Sequence, residues 1–146
     1  SPNGMTINST TGVISWTPAT AGSFEVTIEV SDEYKSETQS FTITVDEALL
    51  TSIVVLPETM EIAAGSSKTI TSVTAHYDNA TETSIALTAC TYESNNLTYV
   101  TVLNGVIKVS GSCSGANAVV TVSYTEDGLT KTDTVNVTVP APASGG

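Results

Sequence analysis

The chain is 146 residues long, 40% hydrophobic but only 5% aromatic, and its four basic residues stand against 15 acidic ones for a net charge of -11. All four are Lys; with neither Arg nor a basic stripe to neutralise phosphates, the chain is excluded as a nucleic-acid binder, and an anionic membrane surface is disfavoured for the same reason. No apolar run reaches the ~18 to 20 residues of a membrane-spanning helix, and the length suits one ordinary domain or two small ones.

Ser and Thr together supply 44 residues. Thr and Val dominate the stretches that alternate, as expected for β-structure, because β-branched side chains lose little when held on a pleated surface. The chain starts with Ser1 rather than Met, which reads as a processed or excised piece. The stretch "GMTINSTTGVISWTPATAG" (4–22) then reads as two short strands and a turn. In "FEVTIEV", Phe24, Val26, Ile28 and Val30 share one face and Glu25, Thr27 and Glu29 the other, the pattern of a half-buried strand. "SFTITV" (40–45) repeats it. A seam follows at "DEALL", Asp46 to Leu50, short and apolar enough to predict a stiff junction.

Beyond the seam, "TSIVVL", "TITSVTAHY", "VVTVSY" and "DTVNVTV" alternate in the same way, and no stretch has a helical period. Turn signals stand between them at Gly65-Ser66, Asn104-Gly105 and Asp127-Gly128, as Thr11-Gly12 and Ala21-Gly22 do earlier. Asn-Gly and Asp-Gly predict type I′ hairpins, since both central residues must accept positive φ. Short strands with turns this close indicate an antiparallel all-β sandwich. The closing "PAPASGG" has the composition of a disordered linker or tag. The expected division is an incomplete module over 1–47, a complete one over 48–140 and a tail over 141–146.

Two family resemblances rest on these stretches. From Leu50 to Val139, "IVVLPETMEIAAG", "YESNN" followed by "VTVLNGVIKVSG", and the closing strand pair resemble a group-2 bacterial Ig-like domain, with Tyr92 where that family usually has Trp. The first 45 residues resemble the second half of a putative-Ig or cadherin-like repeat of bacterial and archaeal surface proteins. The resemblance implies an Ig-like β-sandwich preceded by a partial one, and a cell-surface, secreted location.

A half-module is a physical problem. Phe24, Val26, Ile28, Val30, Phe41, Ile43 and Val45 would have no opposing sheet in their own unit, at ~1.5 to 3 kcal/mol for each large side chain left wet. Open strand edges invite pairing with other chains. Three solutions stand open: strands lying upstream, strands donated by another subunit to build a fibre, or packing onto the second domain.

Chemistry-bearing residues are few. Cys90 and Cys113, the two cysteines, are expected to form a disulfide closing a loop of about 24 residues, a contribution of ~3 kcal/mol in the chain-entropy account. N-x-Ser/Thr sequons at Asn8, Asn79, Asn96 and Asn136 are candidate glycosylation sites. In an Ig-like sandwich Asp46, Glu47, Asp78, Glu126 and Asp127 would converge on the junction, where oxygen ligands from three segments suit Ca²⁺; the alternative is a solvated acidic surface. A single His, His76, and the lack of a Gly-rich phosphate loop or a Ser-His-Asp grouping point away from catalysis and from zinc.

The expected role is a non-catalytic structural or spacer protein of a cell-surface, surface-layer or filament assembly. Its partners would be neighbouring Ig-like modules or other copies, joined by strand complementation through residues 1–45. The alternative is an adhesin or carbohydrate-binding module contacting surface glycans, with Trp16 as its one large platform, although Trp16 beside Pro18 reads more readily as packing.

Overall fold

The structure is a computed structural model and describes residues 1–113 and 115–142; residues 143–146 of the expected tail lie outside the described residues. The chain divides into two units, Ser1–Ala48 and Leu49–Gly146.

In the first unit, β1 (Thr6–Ile7) and β2 (Ile14–Ser15) pair antiparallel, Thr6 opposite Ser15. Asn8 closes the connection: its Oδ1 accepts from the N–H groups of Thr10 and Thr11 at 2.9 and 3.0 Å. The strands β3 (Gly22–Ser31) and β4 (Ser36–Val45) form a ten-residue-deep antiparallel ladder from Gly22↔Val45 to Ser31↔Ser36. Its turn is built by Asp32, whose Oδ1 accepts from Tyr34 N–H at 2.8 Å and Lys35 N–H at 2.7 Å. Those two bonds lower the Asp32 carboxyl below its ordinary pKa, because they stabilise the charged form.

The second unit contains β5 (Leu50–Leu56), β6 (Thr59–Glu61), β7 (Ser67–Thr69), β8 (Ser72–Tyr77), β9 (Glu82–Ile85), a 3₁₀ turn (Leu87–Ala89), β10 (Thr91–Ser94), β11 (Val100–Leu103), β12 (Val106–Val109), β13 (Asn117–Glu126) and β14 (Leu129–Thr138). They form sheets in the orders β5-β8-β9, β10-β13-β14-β6 and β11-β12-β7. Alternation fixes which side is inside. Ile53 and Val55 of β5, Ala118, Val120 and Val122 of β13, and Val135 and Val137 of β14 are all buried, and they join one core that Ile62, Ile70, Ile107 and Val109 complete. Each such side chain contributes ~1.5 to 3 kcal/mol by leaving water.

Two sheet changes organise this unit. At Pro57, which has no N–H to give a ladder, the chain leaves β5's antiparallel pairing with β8 and enters β6, parallel to β14. The second change falls within "TITSVTAHY", which reads as one strand in sequence. It is broken at Ile70 and Thr71 into β7 and β8, which lie in different sheets. Ile70 N–H donates to Gly105 O and Thr71 N–H to Leu56 O, both at 2.8 Å, so the corner satisfies its own backbone. Alternation continues through the corner, which is why periodicity alone cannot reveal it.

Candidate interaction surface

The β3–β4 register puts Phe24, Val26 and Ile28 on one face with Phe41, Ile43 and Val45, and Glu25, Thr27 and Glu29 on the other with Thr38, Ser40 and Thr42. Thr27 and Ser40 hydroxyls hydrogen-bond across the polar face at 2.8 Å. The apolar face is poorly covered. Val26 is 2% exposed, but Phe41 is 37% and Val30 70% exposed. Neither β3 nor β4 has a second ladder partner among the described residues.

The short β1–β2 ladder supplies partial cover. Trp16 meets Phe24 edge-on, with ring centroids 4.8 Å apart at 73°, and its Nε1–H donates to Asn3 O at 3.2 Å. Trp16 is thus a packing residue, as its place in the sequence suggests. A cleft of about 140 Å³ is lined by Met5, Ile7 and Ile14 from the β1–β2 segment and by Val26 and Ile28 of β3. Thr27 and Glu29, whose side chains belong to the opposite face, also border it. The cleft therefore opens along the edge of β3.

Glu126 and Asp127 lie near Tyr77, the residue before Asp78, and the acidic side chains also have local roles. Asp78 Oδ1 accepts from Leu49 N–H at 2.9 Å, and Asp78 N–H donates to Leu49 O at 3.0 Å, fixing the start of β5. Glu126 Oε1 accepts from the Tyr124 hydroxyl at 3.0 Å, and Asp127 holds the hairpin turn at φ 48°. Asp46 and Glu47 are exposed between β4 and β5. Among the described residues no three or more His, Cys, Asp or Glu side chains gather into a group that could hold a metal. His76 Nδ1 lies 3.2 Å from Glu82 Oε1 on the neighbouring strand.

The disulfide expectation is overturned. Cys90 and Cys113 are separate, buried thiols. The β10–β13 register sets Thr91 opposite Ser123, so Cys90 stands level with Tyr124, whereas Cys113 precedes the other end of β13 at Asn117. Burial pushes the Cys90 thiol up, away from the reactive thiolate.

Two tyrosines near Cys90 share its environment. Burial, with smaller contributions from Cys90, pushes Tyr92 up to about 12, and its hydroxyl donates to Leu87 O at 2.6 Å. Burial and the bond to Glu126 push Tyr124 up to about 12 as well. The sequon side chains act locally. Asn79 Oδ1 accepts from both the N–H and the hydroxyl of Thr81, Asn8 closes its turn, Asn96 Nδ2 donates to Asn117 O at 3.5 Å, and Asn136 is exposed on β14.

No curated protein matches the chain in sequence. Among solved structures it is similar to domains 4 and 5 of the S-layer protein SbsC, with a TM-score of 0.55 and 19% identity over 94% of this chain and 66% of that one. A longer SbsC structure, domains 1–6, gives a TM-score of 0.45 and 19% identity over 97% of this chain and 19% of that one. Mouse protocadherin-24 EC1-3 gives 0.42 and 18% identity over 95% of this chain and 52% of that one. The chain thus spans less than two thirds of each of these structures. At such identity the likeness to SbsC domains 4 and 5 shows the fold alone, an all-β Ig-like architecture. Residues 1–46 match the family described as "Putative Ig domain", and it is this family that the first unit resembles.

Proposed function

We propose that the chain is a non-catalytic structural or spacer piece of an extracellular assembly, a cell-surface, surface-layer or filament protein. In this reading a neighbouring subunit completes the first unit by adding a β-strand to residues 1–45, and strand addition links subunits into the assembly. The observation that carries it is the contrast between the units. Among the described residues the second has a core cluster of 19 buried residues, while the first has Val26 alone buried, on an apolar sheet face where Val30 and Phe41 remain exposed. Trp16, on which sugar binding would rest, is engaged with Phe24 and Asn3, so the adhesin or carbohydrate-binding alternative has no observation in its favour.

Amide hydrogen exchange on the isolated chain tests the proposal. The amides of β3 and β4 should exchange far faster than those of β13 and β14, and should become protected in the assembled surface layer or filament. Protection of β3 and β4 in the isolated chain as strong as that of β13 and β14 would mean that the first unit needs no partner, and would refute the proposal.

A further inference from the structure

The completing strand has a readable chemistry. Asp32 N–H donates to Lys35 O at 2.9 Å, and an antiparallel ladder alternates residues that bond across it with residues that do not. Counting back from that pair along the register, Phe24, Val26, Ile28 and Val30 turn their main-chain groups toward β4. The N–H and C=O groups of Glu25, Thr27 and Glu29 therefore face outward, along the edge that borders the cleft. We infer that this edge accepts an extended segment whose apolar residues alternate with polar ones and include Lys or Arg at two polar positions four residues apart.

Each part of that pattern has a cause. A strand bonded to the outward groups of Glu25, Thr27 and Glu29 places the residues directly opposite them on the same, polar face. Its alternate residues then enter the cleft lined by Met5, Ile7 and Ile14 and by Val26 and Ile28. The positions facing Glu25 and Glu29 are four apart and meet a carboxylate each, on a chain of net charge -11, so basic side chains fit and acidic ones are repelled. A second copy of this sequence is a poor donor. Its Lys residues stand at 35, 68, 108 and 131, and no two are four apart. The occupant is thus a basic, alternating strand from a different segment or subunit. The inference rests on the proposed strand addition and specifies its donor.

The probes are a ten-residue peptide alternating Val or Ile with Thr and two Lys residues four apart, and its counterpart with Glu for Lys. Both are titrated onto the full chain at low salt, read by the fluorescence of its single Trp and by exchange of individual amides. The Lys peptide should bind about tenfold tighter than the Glu peptide, with the gap closing in 1 M salt. It should slow exchange at Glu25, Thr27 and Glu29. The variant Glu25→Lys/Glu29→Lys should reverse the preference. Thr27→Pro should abolish binding yet leave the β3–β4 ladder intact, because its N–H faces outward. Equal binding of both peptides would overturn the basic donor, and binding of neither would overturn the groove. Protection of the same amides by self-association of the chain would make the occupant a second copy and overturn the inference. If the isolated chain already protects these amides while monomeric, the proposed function itself fails; if they are open and the peptides ignore them, only the donor chemistry fails.

Discussion

Asp133 does more for the second unit than its place in an exposed-looking Thr-rich strand suggests. Its Oδ2 accepts from Val55 N–H at 2.8 Å and its Oδ1 from Thr134 N–H at 2.8 Å, so one half-buried carboxylate joins β5 to β14. Asp133→Ala should cost about 1 to 3 kcal/mol, the range for losing a charge-assisted bond and leaving an N–H without its acceptor. Asp133→Asn should cost less, since an amide oxygen still accepts; urea midpoints of the two variants check both. Alternation in "DTVNVTV" gives the burial of Val135 and Val137, but a partner 78 positions away leaves no local mark. The cysteines are a related case: two thiols in one sandwich look like a pair in sequence, but in the fold they are separate buried thiols. Tyr92 and Tyr124 contribute to the pH dependence at the alkaline end. Their hydroxyls, ordinarily ionising near 10, stay neutral in the fold up to about 12. Between those values the unfolded chain releases protons that the native chain keeps, so their contribution is complete below pH 10 and is lost as the pH rises to 12. Urea midpoints should fall over that window, and Tyr124→Phe should flatten part of the fall.

Among elements, the hairpins were the most legible. Asn104 and Gly105 take φ of 49° and 81°, and Asp127 and Gly128 take 48° and 78°, as type I′ turns require, because only small or locally bonding residues enter that region at low cost. What sequence could not show is that the first of these turns is also a packing contact. A Cβ at Gly105 would lie 2.8 Å from Leu87 Cδ1 and 3.2 Å from Leu87 Cβ, against the 3₁₀ turn that precedes β10. Gly105→Ala therefore combines backbone strain with crowding and should cost about 2 to 3 kcal/mol. In a double-mutant cycle, Leu87→Ala should recover about 1 kcal/mol of it by removing the crowded atoms while the strain remains. Purely additive losses would show that Leu87 moves aside without cost. The 3₁₀ turn itself was invisible because three residues carry no period, and the corner at Ile70 was invisible because alternation runs through it.

At the scale of the molecule, the two units differ in what they can do alone. The first unit's apolar strands were readable from the alternation of "FEVTIEV" and "SFTITV"; of their seven apolar side chains Val26 is buried, Phe24, Ile28, Ile43 and Val45 are half-buried, and Val30 and Phe41 are exposed. The second unit encloses a core cluster of 19 residues among those described. Expressed separately, residues 49–146 should give a dispersed NMR spectrum and a single cooperative urea transition. Residues 1–48 should show neither. Adding the Lys peptide to that shorter fragment should shift its far-ultraviolet dichroism toward strand, because an incoming strand covers the apolar face and the open edge in one step. A fragment 1–48 that folds cooperatively without peptide would show that Trp16, Phe24 and Val26 suffice as a core, and the chain would then be two self-sufficient modules rather than one module and an acceptor.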